Sequence, residues 1–233
     1  VSGLIANNMI SNFYYNSSQN FGIYTTSSNY WKIYHNSVNY ALASNANASY
    51  CYFNSFGSNI DARNNIFAVT SSSAANCIPF YTSSNTAFIT NNIDYNNYFN
   101  AAGTTLVNLA GTLYTSSNYK AAFTNPTGGG AGANSFNFNP QFVSATDLHR
   151  SSICYNGANL GITSDIDNQA RPSSPDIGAD EVVGNANDLS IDAIVSPTSS
   201  SVSAGPINIT VLLRNVGTNA VTSGNLTYVL NGG

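Results

Sequence analysis

Short apolar runs alternate with polar corners down the first hundred residues. Phe21-Gly22-Ile23-Tyr24-Thr25-Thr26, Cys51-Tyr52-Phe53 and Ile78-Pro79-Phe80-Tyr81-Thr82 are bounded by clusters of Asn, Ser and Gly. Runs of this length and composition predict β-strands. No segment sustains an apolar period of 3.6, so helix is not expected to dominate. A second pattern lies over the first. Asn8, Asn36, Asn65 and Asn92 recur at spacings of 28, 29 and 27 residues. Three positions before them stand Ile5, Ile33, Ala62 and Ile89; two after stand Ile10, Val38, Phe67 and Asp94. Seven before the last three stand Asn29, Ser58 and Asn85. A period between 20 and 50 residues marks a solenoid, a propeller or an array.

A unit of about 28 residues holding two or three short strands fits one coil of a parallel β-helix. Such a coil cannot bury its apolar face alone, and stacked coils share a continuous core. Equivalent residues then recur at the strand spacing of about 4.8 Å. Asparagine suits a corner, because it tolerates the left-handed backbone conformation. Its amide can also donate to one coil and accept from the next. Asn8, Asn36, Asn65 and Asn92 are therefore expected to form a structural ladder. The fourth unit fits least well: Asp94 falls where an apolar residue is expected, and Asn97-Tyr98-Phe99 offers a rival alignment. His35 is expected to face solvent at a corner.

Composition narrows the partners. The 233 residues carry a net charge of −4 with only 7% charged side chains. Basic residues are too sparse for a stripe that tracks phosphates, so nucleic acid is disfavoured. No apolar run approaches the length of a membrane span. The chain opens inside a repeat and shows no signal peptide, so further coils are expected upstream. Cys51, Cys77 and Cys154 lack the spacing of a zinc or redox motif. Buried free thiols are expected, with a Cys51–Cys77 pairing left open.

From Ala101 to Asn139 the repeat fades, through a glycine-rich turn at Gly128-Gly129-Gly130-Ala131-Gly132. Then come Asn139-Pro140-Gln141-Phe142-Val143, Asp147-Leu148-His149-Arg150, Asp165-Ile166-Asp167-Asn168-Gln169-Ala170-Arg171-Pro172 and Pro175-Asp176-Ile177-Gly178-Ala179-Asp180-Glu181. These segments resemble the end of right-handed parallel β-helix proteins secreted by Bacteroidota, which close with N-P-x-F, D-L-H-L, D-I-D-G-x-x-R-P and D-I-G-A-D-E-Y/F stretches. Asn168 stands where that family has glycine, and Val182 where it has an aromatic residue. The resemblance covers roughly 1–182. Beyond it, Asp188 to Val195, Ile207 to Leu213 and Leu226 to Leu230 read as strands of a sandwich. They resemble the CARDB-like, immunoglobulin-fold modules of bacterial surface proteins. The expected architecture is all-β: a right-handed parallel β-helix over 1–183, its capping region at about 101–183, then a partial Ig-like β-sandwich over 188–233. The family resemblance also implies export through the type 9 secretion system.

Candidate chemistry is sparse. There is no GxSxG, HExxH or P-loop, and no catalytic residue is assigned. Asp165, Asp167, Asp176 and Asp180 offer enough oxygens for Ca²⁺, the one candidate cofactor. The competing and favoured reading makes them a cap with Arg171 as partner. Tyr30, Trp31 and Tyr34 are the candidate glycan-binding aromatics. The expected function is a non-catalytic protein outside the cell or on its outer surface, an adhesin or stalk that contacts polysaccharide or cell-surface glycan. The alternative is a polysaccharide lyase or glycoside hydrolase whose catalytic coils lie upstream.

Overall fold

A computed structural model describes residues 2–14, 18–27, 29–42, 47–83, 88–125, 129–130, 132–150, 155–182, 189–197, 205–215, 217 and 220–227. Asn85, Gly128, Ala131, Cys154, Asp188 and Leu230, named above, lie outside the described residues. The chain divides into two compact units, Val1–Val182 and Val183–Gly233.

The first unit is a parallel β-solenoid. Its rungs are β1 (Gly3–Ala6), β2 (Met9–Ile10) and β3 (Asn20–Thr26), then β4 (Trp31–Tyr34), β5 (Ser37–Tyr40) and β6 (Ser49–Ser55), then β7 (Ile60–Arg63), β8 (Ile66–Val69) and β9 (Cys77–Thr82), and last β10 (Phe88–Asp94), β11 (Asn97–Asn100) and β12 (Thr105–Leu109). Three sheets result, stacked as β1-β4-β7-β10, β2-β5-β8-β11 and β3-β6-β9-β12, with every one of these pairings parallel. The chain thus advances about three turns from its first rung to its fourth.

The predicted register holds through three rungs. Ile5 pairs with Ile33 and Ile33 with Ala62; Ile10 pairs with Val38 and Val38 with Phe67. These side chains point inward, and Ile33, Val38, Ala62 and Phe67 are wholly buried. Tyr52, Phe80 and Tyr98 fill the axis beside them, with Tyr52 and Phe80 ring centroids 4.8 Å apart. An aromatic pair at this distance adds to its area burial.

The fourth rung departs from expectation. β10 carries a register irregularity between Phe88 and Ile93, so Ile93 rather than Ile89 pairs with Ala62. Tyr98 then sits opposite Phe67, and the rival alignment through Asn97-Tyr98-Phe99 is the one adopted. The inserted residues lengthen the coil and move every later residue along.

The far end of the core is closed locally. β13 (Thr112–Thr115) turns back antiparallel on β12, and a 3₁₀ turn at Tyr119–Phe123 buries Tyr119, Ala122 and Phe123. Phe123 meets Phe80 edge-on at 5.6 Å. β14 (Thr124–Asn125) and β15 (Gly129–Gly130) form a short hairpin. The rest of the segment expected as a cap does something different. Residues 132–150 and 155–182 lie along the solenoid as a strap that starts at the fourth rung and reaches all four rungs, though not in order. Phe138 N donates to Asn97 Oδ1, Ala158 N to Asn64 Oδ1, Ala179 N to Ser37 Oγ, and Asn7 Nδ2 to Ser164 O.

In the second unit, β16 (Leu189–Ser196) pairs antiparallel with β17 (Thr210–Asn215), and Arg214 bonds Asp192 across them. A two-stranded antiparallel sheet stands where a sandwich was expected; no second sheet occurs among the described residues of this unit.

Candidate functional site

Each coil turns its first corner on a residue with positive φ: Asn7 (55°), His35 (52°), Asn64 (59°) and Tyr95 (55°). The ladder asparagine follows immediately. The two roles assigned to one asparagine are therefore split between neighbours: residue one bends the chain, and residue two supplies the amide. The ladder runs Asn8 Nδ2 to Asn36 Oδ1 (2.8 Å), Asn36 Nδ2 to Asn65 Oδ1 (2.9 Å) and Asn65 Nδ2 to Asn96 Oδ1 (2.9 Å). Each receiving oxygen also takes the backbone N–H of the asparagine before it. Ser135 Oγ ends the series by accepting from Asn96 N. Asn36, Asn65 and Asn96 are wholly buried, while Asn8 is exposed. Asn92 is not in the ladder. The irregularity in β10 puts it four residues early, and its amide donates to Asp61 Oδ2 instead.

His35 is buried beneath the strap, contrary to the expectation of a solvent-facing corner. Its Nδ1 lies 3.1 Å from Asp176 O, a carbonyl that only accepts, so the proton is on Nδ1. Nε2 then accepts from Asn64 Nδ2 at 2.9 Å. Burial, and then the Arg171 charge, lower its pKa to about 3. It is a neutral structural histidine. Cys51 and Cys77 are buried free thiols. Burial raises both, Cys77 to about 11.

The aromatic trio expected to bind glycan does not form one face. Tyr30 is exposed at a positive-φ corner, and the Trp31 indole lies over Gly3, where a Cβ would come within 2.4 Å of the ring. Tyr34 is buried: its hydroxyl donates to Asp61 Oδ2 at 2.6 Å and Arg63 lies over its ring. Asp61 and Arg63 form an ion pair at 2.7 Å beside it, and Asp94 is held by Asn134 N and Nδ2. These carboxylates work as structural acceptors.

The exposed aromatic surface lies on the third sheet instead. Tyr24, Phe53 and Tyr81 occupy one row across β3, β6 and β9, with Phe21 and Tyr50 in the next. Phe53 and Tyr81 stack at 4.5 Å with 8° between planes; Phe21 stacks on Tyr24 at 4.9 Å. Tyr24 is 51% exposed, Phe21, Phe53 and Tyr81 are half-buried, and Tyr50 is buried. No charged residue occurs in β3, β6, β9 or β12. Their signal in the sequence was the repeat itself: Phe-x-x-Tyr in β3, Tyr-x-x-Phe in β6 and Ile-x-x-Tyr in β9 share one offset.

The acidic strap separates into two functions. Asp165 Oδ1 accepts from Asp167 N and Gln169 N, and its Oδ2 from Glu181 N. Asp176 Oδ2 accepts from Val182 N. Arg171, its side chain 1% exposed, bonds Glu181 at 2.8 Å, Asn7 Oδ1 and three strap carbonyls. Burial, then the Asp176 carboxylate, push Glu181 up to about 7. Asp165 and Asp176 are therefore capping groups. Asp167 and Asp180 are drawn away from them and toward His149, whose Nε2 lies 2.8 Å from Asp167 Oδ2. The four aspartates do not converge on one point; Asp167 and Asp180 gather instead with His149, which the sequence did not mark as a candidate. Among the described residues, no helix is long and apolar enough to cross a membrane. Comparison with known proteins finds no matching family model, no matching curated protein and no matching solved structure.

Proposed function

We propose that this chain is a non-catalytic, cell-surface or secreted stalk whose third sheet binds neutral polysaccharide. The observation that carries the reading is the aromatic face of Phe21, Tyr24, Phe53 and Tyr81. An apolar patch on an otherwise polar surface is a candidate binding site. Sugar rings present C–H groups that pack on aromatic π faces, and stacked coils repeat such rings along one line. The absence of charge on these strands favours a neutral glycan over a uronate. The solenoid supplies a rigid platform, since its buried ladder ties each coil to the next. The finer identity belongs to the same proposal: a right-handed helix of the secreted Bacteroidota type, exported by type 9 machinery, followed by a CARDB-like Ig module. It is supported by the Asp165–Pro172 and Asp176–Glu181 motifs.

The test is retention of the full chain on insoluble neutral polysaccharides such as cellulose and mannan, beside soluble polyuronate. Tyr24→Ser with Tyr81→Ser abolishes retention, whereas Tyr30→Ser leaves it intact. Circular dichroism confirms that the variants fold. Equal retention of parent and double variant, or binding to polyuronate alone, sinks the proposal.

A further inference from the structure

Three stretches of the strap meet at His149. Ligand atoms of His149, Asp167 and Asp180 all lie within 4.8 Å of one another. Asp147 Oδ1 closes on the other side of the ring, against Nδ1. A neutral imidazole has one N–H and one lone pair, so it cannot donate to Asp147 and Asp167 together. With the proton on Nδ1 facing Asp147, the Nε2 lone pair points at the Asp167 oxygen 2.8 Å away. A positive charge at Nε2 answers both carboxylates, either a proton that makes the ring cationic or a metal ion in its place.

The surroundings supply no such charge. No lysine or arginine pairs with Asp147, Asp167 or Asp180 among the described residues. Arg150 sends its Nε to Pro140 O and lies over the Phe138 ring. Its backbone N–H donates to Asp180 Oδ2 at 2.9 Å. Asp180 is 6% exposed, and its other oxygen has no hydrogen-bond donor among the described residues. That oxygen is open to water or to an ion, and a cation meeting it would offset the partial desolvation of the carboxylate.

We infer that His149 Nε2, Asp167 and Asp180 bind a divalent first-row transition metal of the zinc class, with Asp147 orienting the imidazole from behind. Zinc takes nitrogen at about 2.0–2.1 Å and carboxylate oxygen at about 2.0–2.2 Å. Two ligands at the tetrahedral angle around such an ion stand about 3.3 Å apart, so the 2.8 Å between Nε2 and Asp167 Oδ2 widens on binding. A carboxylate on the far ring nitrogen is the usual support for a metal-binding histidine. Calcium is disfavoured because it takes six to eight oxygens. Imidazole suits zinc, iron, copper and nickel, and completes a mixed nitrogen–oxygen set. Water fills the remaining positions, since Asp167 and His149 are both partly exposed. The ion would staple the Asp147–Arg150 stretch to the two strap segments that already hold each other through Ile166 N–Ala179 O and Glu181 N–Asp165 Oδ2. This role is independent of glycan binding.

The experiment is isothermal titration of chelator-treated full chain with ZnCl₂, beside CaCl₂ and MgCl₂, followed by thermal melts. The expected result is one equivalent of Zn²⁺, no matching Ca²⁺ or Mg²⁺ heat, and a higher Tm with zinc. Zinc at a hundredfold excess over Kd multiplies the folding equilibrium about 100-fold. Asp167→Asn and His149→Gln each abolish the zinc heat while melting like the metal-free parent. Asp147→Asn keeps the stoichiometry and weakens affinity about 10- to 100-fold. No zinc uptake by the parent overturns the inference. So does uptake unchanged by Asp167→Asn and His149→Gln, or a preference for Ca²⁺.

Discussion

Replacing Asn65 with leucine tests the ladder at its most connected point. The Asn65 side chain takes part in five hydrogen bonds. Its Oδ1 accepts from Asn36 N and Nδ2, and its Nδ2 donates to Ile33 O, Arg63 O and Asn96 Oδ1. Leucine has nearly the same shape and none of these groups. The Asn36 N–H loses its acceptor and has no other among the described residues, at a cost of about 1–3 kcal/mol. The Asn36 amide keeps Ile5 O and Tyr34 O. Asn96 Oδ1 keeps the Asn65 N–H, and Arg63 O keeps His35 N. Three weakened acceptors at about 1 kcal/mol each bring the loss to about 5 kcal/mol. A buried leucine returns about 2 kcal/mol. The net destabilisation is about 3 kcal/mol. Urea unfolding reads it well, because the single tryptophan, Trp31, lies on the rung before Asn65. The control is Asn137→Leu, an exposed asparagine without a side-chain partner among the described residues, expected within about 0.5 kcal/mol of the parent. Coincident midpoints for the two variants would refute the claim that the ladder holds the coils together.

Two other perturbations probe the strap. His35 has its pKa lowered to about 3 in the fold, below the ordinary 6.5. The unfolded chain therefore takes the proton first, and stability is lost as pH falls from about 6.5 toward 3, at about 1.4 kcal/mol per pH unit. His35→Gln is expected to flatten that part of the acid slope in urea titrations between pH 7 and pH 4; an unchanged slope argues against the buried neutral ring. Gly178 has φ +91°, and a Cβ there would meet Ile66 Cδ1 at 2.7 Å and Ser37 Oγ at 2.8 Å. Gly178→Ala is expected to cost about 1–3 kcal/mol and to open the strap to limited proteolysis within 132–182. A protease-resistant strap in that variant would show that the close approach is not needed.

Two mechanisms of different reach separate what was legible from what was not. Asn8, Asn36 and Asn65 were readable because neighbouring coils of equal length bring equal offsets together. Asn96 was hidden by an irregularity inside β10, whose only trace was the misplaced Asp94 and the rival run Asn97-Tyr98-Phe99. The aromatic face was present in the repeat at Tyr24, Phe53 and Tyr81, but the exposed-looking Tyr30, Trp31 and Tyr34 drew attention from it. Whether an aromatic side chain is covered depends on what lies above its sheet. Tyr34 shows this, since its ring and hydroxyl are taken up by Arg63 and Asp61 from the next coil.

The sequence alone determined the parallel stacking, the inward apolar columns and the amide ladder. Each of these follows from local strand alternation repeated at one period. The tertiary structure alone decided the strap. Its contacts join residues far apart in the chain, such as Asn7 with Ser164 and Ser37 with Ala179. No periodicity encodes such pairs. Burial of His35, the split of the aspartates into capping groups and a cluster around His149, and the role of Gly178 all depend on where one non-repeating segment comes to rest.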